Sequence, residues 1–489
     1  MSVVVTNTLT GEREPFEPID PDSVLLYFCG LTVSDDPHLG HARAWVHVDG
    51  MHRWLEHRGY TVRHVENFTD VNEKIVARVG DVGADEAAVA RTFIDRTLSA
   101  MRSLNLKRAL VYPRVSEHIP EIIDLIETLL ERGYAYESAG SVYFDVTAFD
   151  GYGKLSNQDL DAIESEDPDP DKRHPADFAL WKAGGVAPDD LAEHRSGPVP
   201  DDPPSGQTWD APWGTGRPGW HIECSAMSMA HLGETIDIHV GGQDLVFPHH
   251  ENEIAQSEAA TGECFARYWM HVRLLETEGE KMSSSLENYF TVANAIDEFG
   301  ANRIRMFLLS TAYTSRQTYS EATLEEAVDR WDRLERAHER AIGALDGPDA
   351  MTKVTDESLR SAVTGASQDF AAGLDDDFNT RVGIAALLDL AGAINRHVDD
   401  GPPYDYRGLR RAVETVESLG GDVLGFELGA TVEPQVEVVE DLVELVLAVR
   451  ESARERGNYE RADELRSALL DLDIVVEDGD DGATWRFDR

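Results

Sequence analysis

The chain is short of cysteine, of basic residues and of long apolar runs, and each shortage removes a class of protein. Three cysteines, Cys29, Cys224 and Cys264, are an odd and sparse set. No disulfide framework can rest on them, which leaves metal binding or plain burial. No apolar stretch approaches the length of a membrane span, and Met1 to Pro15 lacks the apolar core of a secretory signal, so a soluble, cytoplasmic protein is expected. Lys and Arg number 44 against 92 Asp and Glu, a formal net charge of −48. A basic face, the usual footprint of nucleic-acid binding, is therefore not visible in the composition. At salt near 1 M the Debye length falls to roughly 3 Å, and self-repulsion and repulsion of a polyanionic partner are both screened. This balance is expected of a protein from a salt-loving organism.

What is present is more specific. An apolar run, Val24 to Phe28, reads as a buried strand, and Ala42 to His57 repeats its apolar residues at helical spacing. His38-Leu39-Gly40-His41 therefore falls at a strand-to-helix turn, where backbone N–H groups and the positive end of the helix dipole favour an anion. Gly40 removes a side chain that would block a flat purine ring. The chain is read as lacking a Gly-x-Gly-x-x-Gly, an absence that disfavours a dinucleotide enzyme and that the fold below corrects. Far downstream, Lys281-Met282-Ser283-Ser284-Ser285 offers one cation and three hydroxyls in a loop-like context. Together the two segments read as an ATP site that stabilises departing pyrophosphate, with His38, His41 and Lys281 as catalytic groups and Gly40, His41, Lys281, Ser283 and Ser284 against the nucleotide. Donors aimed at charge that grows during the reaction contribute more in the transition state than in the ground state.

The order of elements predicts an α/β chain: a Rossmann-like parallel-sheet catalytic domain interrupted by an insertion, then a helical domain and a small C-terminal unit. The boundaries expected are 15–115 and 208–270 for the two halves of the sheet domain and 116–207 for the insertion. A linking subdomain with the Lys281 loop takes 271–330, a helical bundle 331–430, and the last unit 431–489. Within the insertion, the acidic and Pro-rich stretch Glu164 to Pro204 is expected to form long exposed loops.

Cys29 would end the first strand, Cys224 would open a helix, and His249 and Glu253 stand four apart on another helix. In an open α/β sheet such positions converge outside the carboxyl ends of the strands. Two thiolates, an imidazole and a carboxylate make a tetrahedral zinc set, although His250 and Glu251 compete for the same role on spacing alone.

The two signatures resemble those of class I aminoacyl-tRNA synthetases. Further segments, Tyr27-Phe28-Cys29-Gly30, Asn67-Phe68-Thr69-Asp70, Asp177 to Lys182, Gly216 to Ser225 and Phe247 to Glu253, are similar to the cysteinyl-tRNA synthetase family. The resemblance implies ATP with Mg2+ and L-cysteine as substrates, cysteine tRNA as the partner, and a monomer without membrane contact. It implies one zinc ion per chain on Cys29, Cys224, His249 and Glu253, and a cysteine pocket lined by Gly30, Thr32, Thr69, Trp220, His239 and Asp244. Zinc would distinguish cysteine from serine by taking the substrate as thiolate, a discrimination that an apolar pocket cannot provide. The chain departs from the family pattern at Leu31, at Asn72-Glu73, at Val240, and at Ser284, where a second lysine is usual. A paralogue that delivers cysteine to an amino sugar lacks a full C-terminal unit, and a non-catalytic RNA-binding derivative would have lost the ATP signatures. In the last unit, Arg450, Arg454, Arg461 and Arg466 are candidates for a shared tRNA face, and Trp485 for stacking on a base.

Overall fold

The computed structural model describes residues 3–160, 163, 169–195, 197–277, 280, 281, 290–429, 436–470, 474–479 and 482–487. It divides into two units, Met1–Gly429 and Ala430–Arg489.

In the first unit, strand β1 (Ser23–Phe28) buries Val24, Leu26, Tyr27 and Phe28, the nearly continuous apolar run that a strand covered on both faces requires. Helix α1 (Leu39–His57) comes next, then β2 (Thr61–Glu66), which pairs with β1 in parallel. After the insertion come α2 (Trp220–Leu232), β3 (Ile236–Gly242), α3 (Glu251–Thr261) and β4 (Ala266–Val272). The four strands form one parallel sheet in the order β4-β3-β1-β2. The chain leaves β1 toward β2 and leaves β3 toward β4, in opposite directions across the sheet. The crevice between the carboxyl ends of β1 and β3 is thus a topological switch point, where open α/β sheets bind ligands.

Beyond β4, the short strands β5 (Leu275–Thr277) and β6 (Glu280–Lys281), helix α4 (Ala301–Leu309) and strand β7 (Gln317–Tyr319) make a small subdomain. Its sheet runs β6-β5-β7. Four long helices, Glu321–Leu345, Glu357–Asp375, Thr380–Asp399 and Tyr406–Val416, then pack around Trp331, Leu334, Phe370, Leu387 and Leu390. A buried ion network ties α1 to α4 and to the segments around Lys107 and Leu424. Asp49 accepts from Arg53 Nε (2.9 Å), Arg305 Nη2 (2.6 Å) and the Lys107 amide (2.8 Å), while Arg305 also donates to the Leu104 and Leu424 carbonyls.

The insertion is more ordered than its composition implies. Its five-stranded antiparallel sheet, which takes in Trp209–Ala211 and Gly214–Pro218 beyond position 207, places Phe178–Ala183 in the centre, between Ser141–Phe144 and Gly214–Pro218, so the expectation of exposed loops over Glu164 to Pro204 is corrected for this strand and for the helix Pro188–His194. The acidic and proline residues on either side mask a short apolar core, Phe178 to Trp181. Within it Leu180 and Trp181 are fully buried, and the Trp181 ring meets Trp213 edge to face. The Gly-x-Gly-x-x-Gly that the chain does contain, Gly214 to Gly219, lies on an antiparallel strand of this sheet and in its exit to α2, not in a strand-to-helix phosphate turn.

The second unit consists of helices Val436–Glu455 and Tyr459–Leu470 and a hairpin, Ile474–Gly479 with Gly482–Phe487. Val443, Leu447, Leu469, Ile474 and Val476 form its core. Arg450 is buried and Arg461 pairs with Glu464 at 2.7 Å, so the four arginines do not form one exposed face. The side chain of Trp485 lies outside the described residues.

Candidate active site and metal-ligand cluster

The loop from β1 to α1 carries the Cys29 thiol at one end and the His38–His41 pair at the other. At its start, the Cys29 amide bonds to the Val240 carbonyl at 2.9 Å, extending the β1–β3 pairing by one residue and setting the thiol above the switch point. Gly30 comes next because nothing larger fits: a Cβ there would stand 1.8 Å from the Asn67 carbonyl oxygen. Asn67 Oδ1 then accepts from the Gly30 amide (2.9 Å) and the Tyr27 hydroxyl (3.1 Å), so one buried amide fixes the turn beside the thiol.

The ligand atoms of Cys29, Cys224, His249 and Glu253 all lie within 4.8 Å of one another, and all four residues are buried. Cys29 Sγ and Cys224 Sγ are 3.6 Å apart. His249 Nε2 and Glu253 Oε1 are 3.1 Å apart but not aligned for a hydrogen bond, and both atoms are buried without a hydrogen-bond partner. His221 Nδ1 faces His249 Nδ1 at 2.9 Å, while burial, with His249 adding to it, holds the His221 imidazole well below its ordinary value. A neutral His221 that accepts at Nδ1 keeps one His249 proton on Nδ1, so Nε2 is the nitrogen that would give up its proton to a metal. On the other side, His239 Nε2 bonds to Glu253 Oε2 at 2.9 Å and steadies the carboxylate.

Electrostatics agree with a cation-binding role. The bond to Cys224 works to lower the Cys29 thiol, but burial and the carboxylates of Glu253, Glu223 and Asp244 outweigh it and hold the thiol above its usual value. The bond to Cys29 together with burial holds Cys224 well above its own. His249 resists burial, because Glu253 and Cys224 pull it up to about 10. A divalent cation among these groups reverses the sign for the thiols, favouring thiolate and releasing protons. The donor set of two sulfurs, one imidazole and one carboxylate fits zinc.

The competing residues are occupied elsewhere. Glu251 accepts from the amides of Gly153, Leu155 and Ser156 at 2.7–3.0 Å. His250 Nδ1 meets His271 Nε2 at 2.8 Å. His239, His250 and Glu253 form a second close cluster, but it lacks a sulfur and its histidines back the first one.

The other residues expected in the pocket differ in exposure. Trp220 is 39 % exposed and its ring lies 4.3 Å from that of His249. Thr32 and Thr69 pair through their backbones, and Asn67 Nδ2 donates to the Thr69 hydroxyl at 3.3 Å. His239 is fully buried behind Glu253, and Asp244 is exposed on the turn after β3. Asn72 at the departure site caps the short helix Glu73–Val76 by accepting from the Lys74 amide, work that an aspartate would also do.

At the other end of the loop, His38 is the N-cap of α1. Its Nδ1 accepts from the Gly40 amide at 3.1 Å, and its own amide donates to His41 Nδ1 at 3.3 Å. Both rings thereby accept at Nδ1, which leaves Nε2–H as the donor of each neutral imidazole. The rings stack with centroids 3.7 Å apart. Gly40 is required by this cap as well as by any purine, since a Cβ would sit 2.8 Å from the His38 ring. The backbone of Lys281 ends β6, paired with Glu276; its side chain, Ser283 and Ser284 lie outside the described residues. Sequence reasoning does not single out His221 or Asn67. Both stand inside segments that carry the family resemblance, but only their contacts reveal their roles.

Comparisons with known proteins bear on the fold and the family. Among solved structures, Mycobacterium tuberculosis methionyl-tRNA synthetase in complex with methionyl-adenylate matches at TM-score 0.62 and 15 % identity, over 82 % of this chain and 93 % of that one. The ternary complex of Agrobacterium radiobacter leucyl-tRNA synthetase matches at 0.58 and 12 %, over 84 % and 85 %. At such identities the likeness concerns the fold. The model of the class I (C) tRNA synthetase catalytic domain matches residues 15–329, so the fold is that of a class I aminoacyl-tRNA synthetase. A DALR domain matches 369–429, and a cysteinyl-tRNA ligase anticodon-binding domain matches 440–486. The cysteine–tRNA ligases of the halophiles Haloarcula marismortui and Halobacterium salinarum are 66 % and 62 % identical, over 99 % or more of each chain. That of Thermococcus gammatolerans is 40 % identical over 99 % of each. The chain belongs to the cysteine–tRNA ligase family.

Proposed function

We propose that this ligase, which as a class I synthetase uses ATP, activates L-cysteine as its adenylate and passes it to the 3′ end of cysteine tRNA, with a zinc ion held by Cys29, Cys224, His249 and Glu253. The observation that carries the zinc reading is the convergence of four buried ligand atoms within 4.8 Å, two of them thiols. When bound, zinc would supply a Lewis-acid site that takes a sulfur ligand as thiolate and interacts poorly with a neutral hydroxyl.

The chain's own residues do the rest. His221 and His239 orient two of the ligands from behind. Gly30 lets the backbone run close to Asn67, and the Trp220 indole covers His249. The Nε2–H groups of His38 and His41, the amides at the start of α1, and Lys281 would donate to the phosphates of ATP, bound with Mg2+, as negative charge moves to the leaving pyrophosphate. With Ser284 in place of a second cation, Lys281 carries that charge alone. The anticodon-domain match over residues 440–486 favours tRNA over an amino sugar as the acceptor. A cytoplasmic monomer is the working form we infer; among the described residues no helix is long and apolar enough to cross a membrane.

Cysteine-dependent pyrophosphate exchange at high salt, with and without a chelator and with serine as competitor, tests the reading. Loss of exchange on metal removal and its return with zinc are expected. Metal-free protein that still rejects serine would end it.

A further inference from the structure

Arg43 lies two residues past His41, on the second turn of α1, and is fully buried. Its guanidinium uses every donor it has. Nε bonds to the Arg273 carbonyl (2.9 Å), Nη1 to the Leu308 carbonyl (3.3 Å) and to Gln317 Oε1, and Nη2 to the carbonyls of Ala312 (3.1 Å) and Ser315 (2.7 Å). Burial lowers this group to about 10, so it stays charged at neutral pH. None of the five acceptors is a carboxylate, which makes the group a geometric fastener rather than an ion pair. A lysine has three donors on one point and cannot span them.

The acceptors are not scattered. Arg273 is the first residue between β4 and β5, Leu308 lies near the end of α4, and Ala312, Ser315 and Gln317 form the turn into β7 and its first residue. β7 pairs with β5, and β5 pairs with β6, whose last residue is Lys281. Gln317 is itself held by a bond from its Nε2 to the Phe307 carbonyl at 2.6 Å. On the far side of the second signature, the Leu39 amide bonds to the Phe290 carbonyl (3.0 Å) and the Val292 amide to the Pro37 carbonyl (2.9 Å). The first turns of α1 are thus joined to the chain both before and after the Lys281 run.

We propose that Arg43 is a positioning residue for adenylation: it locks the β6-β5-β7 sheet to the helix that begins at His38, so that the backbone of Lys281 keeps a fixed place relative to the His38–His41 turn. The proposal rests on the reading that these two segments serve ATP. Arg43 touches no substrate and acts through Lys281.

The test uses the full-length enzyme at high salt, with Arg43→Lys, Gln317→Met and Lys281→Ala and their double combinations. Pyrophosphate exchange, single-turnover transfer of cysteine from preformed adenylate to tRNA, zinc content and thermal midpoint are measured for each. A misplacement near 1 Å costs about 100-fold in rate, so Arg43→Lys should lower exchange by about that factor while leaving transfer and zinc content within about twofold. In the Lys281→Ala background, Arg43→Lys should cost less than about threefold more, because both act through one group. Losses that multiply, or equal losses in exchange and transfer, overturn the proposal. Where Arg43→Lys does not fold, Gln317→Met is judged by the same criterion, and full exchange activity in it counts against Arg43. Lys281→Ala with unchanged exchange would instead refute the ATP reading itself.

Discussion

The sulfur atoms of Cys29 and Cys224 lie 3.6 Å apart although 195 positions separate them in the chain. That approach is made by the β1–β3 pairing and by the second turn of α2, which bring two thiols into a site closed by His249 and Glu253. Cys224→Ser should therefore bind less than one zinc per chain after dialysis, lose most exchange activity with cysteine, and accept serine no better. Metal analysis beside exchange assays checks it; a full equivalent of zinc in the variant contradicts the ligand set.

The residues behind the ligands make a separable prediction. His239→Asn and His221→Asn keep all four proposed zinc ligands but remove their supports, and supports of this kind are worth about 10- to 100-fold in metal affinity. Competition against a chromophoric chelator should show that loss, with activity recovered at excess zinc. Wild-type affinity in both variants would mean that the two histidines only fill space.

Glu66 gives a pH dependence. It is buried at the end of β2, burial holds it up to about 8, and the Trp45 indole N–H at 2.9 Å offsets that only in part. In the unfolded chain the carboxyl titrates near about 4.3, so between about pH 4.3 and 8 the folded state binds the extra proton and stability falls as pH rises. Glu66→Gln keeps an acceptor for Trp45 without the charge. The variant should be more stable above pH 8, by on the order of a few kcal/mol, with a flatter profile below it. Thermal midpoints across pH 5–9 that run parallel for both proteins would count against this.

The Asp49 carboxylate shows the opposite balance. Burial pushes it up, but Arg305 and Arg53 outweigh burial and hold it below its usual value. Asp49→Asn would leave Arg305 charged and fully buried without the carboxylate it bonds to, a change that costs about 3–5 kcal/mol when a buried pair is broken. Calorimetry should show a midpoint several degrees lower for the first unit. An unchanged midpoint would show the network to be dispensable.

The net charge of −48 predicts that stability rises with salt. Raising KCl from about 0.2 M to 2 M shortens the screening length from about 7 Å to near 2 Å and removes most repulsion between surface carboxylates. The thermal midpoint should climb steeply over that range, and a flat response would contradict the argument.

Much of the site is legible in the order of residues alone. The helical spacing from Ala42, the cap-like His38-Leu39-Gly40-His41 and the two cysteines at element ends are local patterns, and they lie where their periodicity places them. The Phe178–Ala183 strand escapes such a reading, because composition averaged over a long acidic stretch hides a short apolar core that only its neighbours in the sheet make meaningful. Arg450 is misplaced for a similar reason: helical spacing names a face but not which face is covered.

By itself the sequence determined the element types, the acidic surface and the kinds of donor available, because these depend on neighbours along the chain. Spacing alone leaves His249 with Glu253 and His250 with Glu251 open, the family resemblance favours the first pair, and only the tertiary structure supplies the physical reason. Both pairs have the same chemistry, and the choice came from which carboxylate already had three backbone amides to accept from and which was left facing two thiols. Long-range contacts set that difference, and no spacing rule contains it.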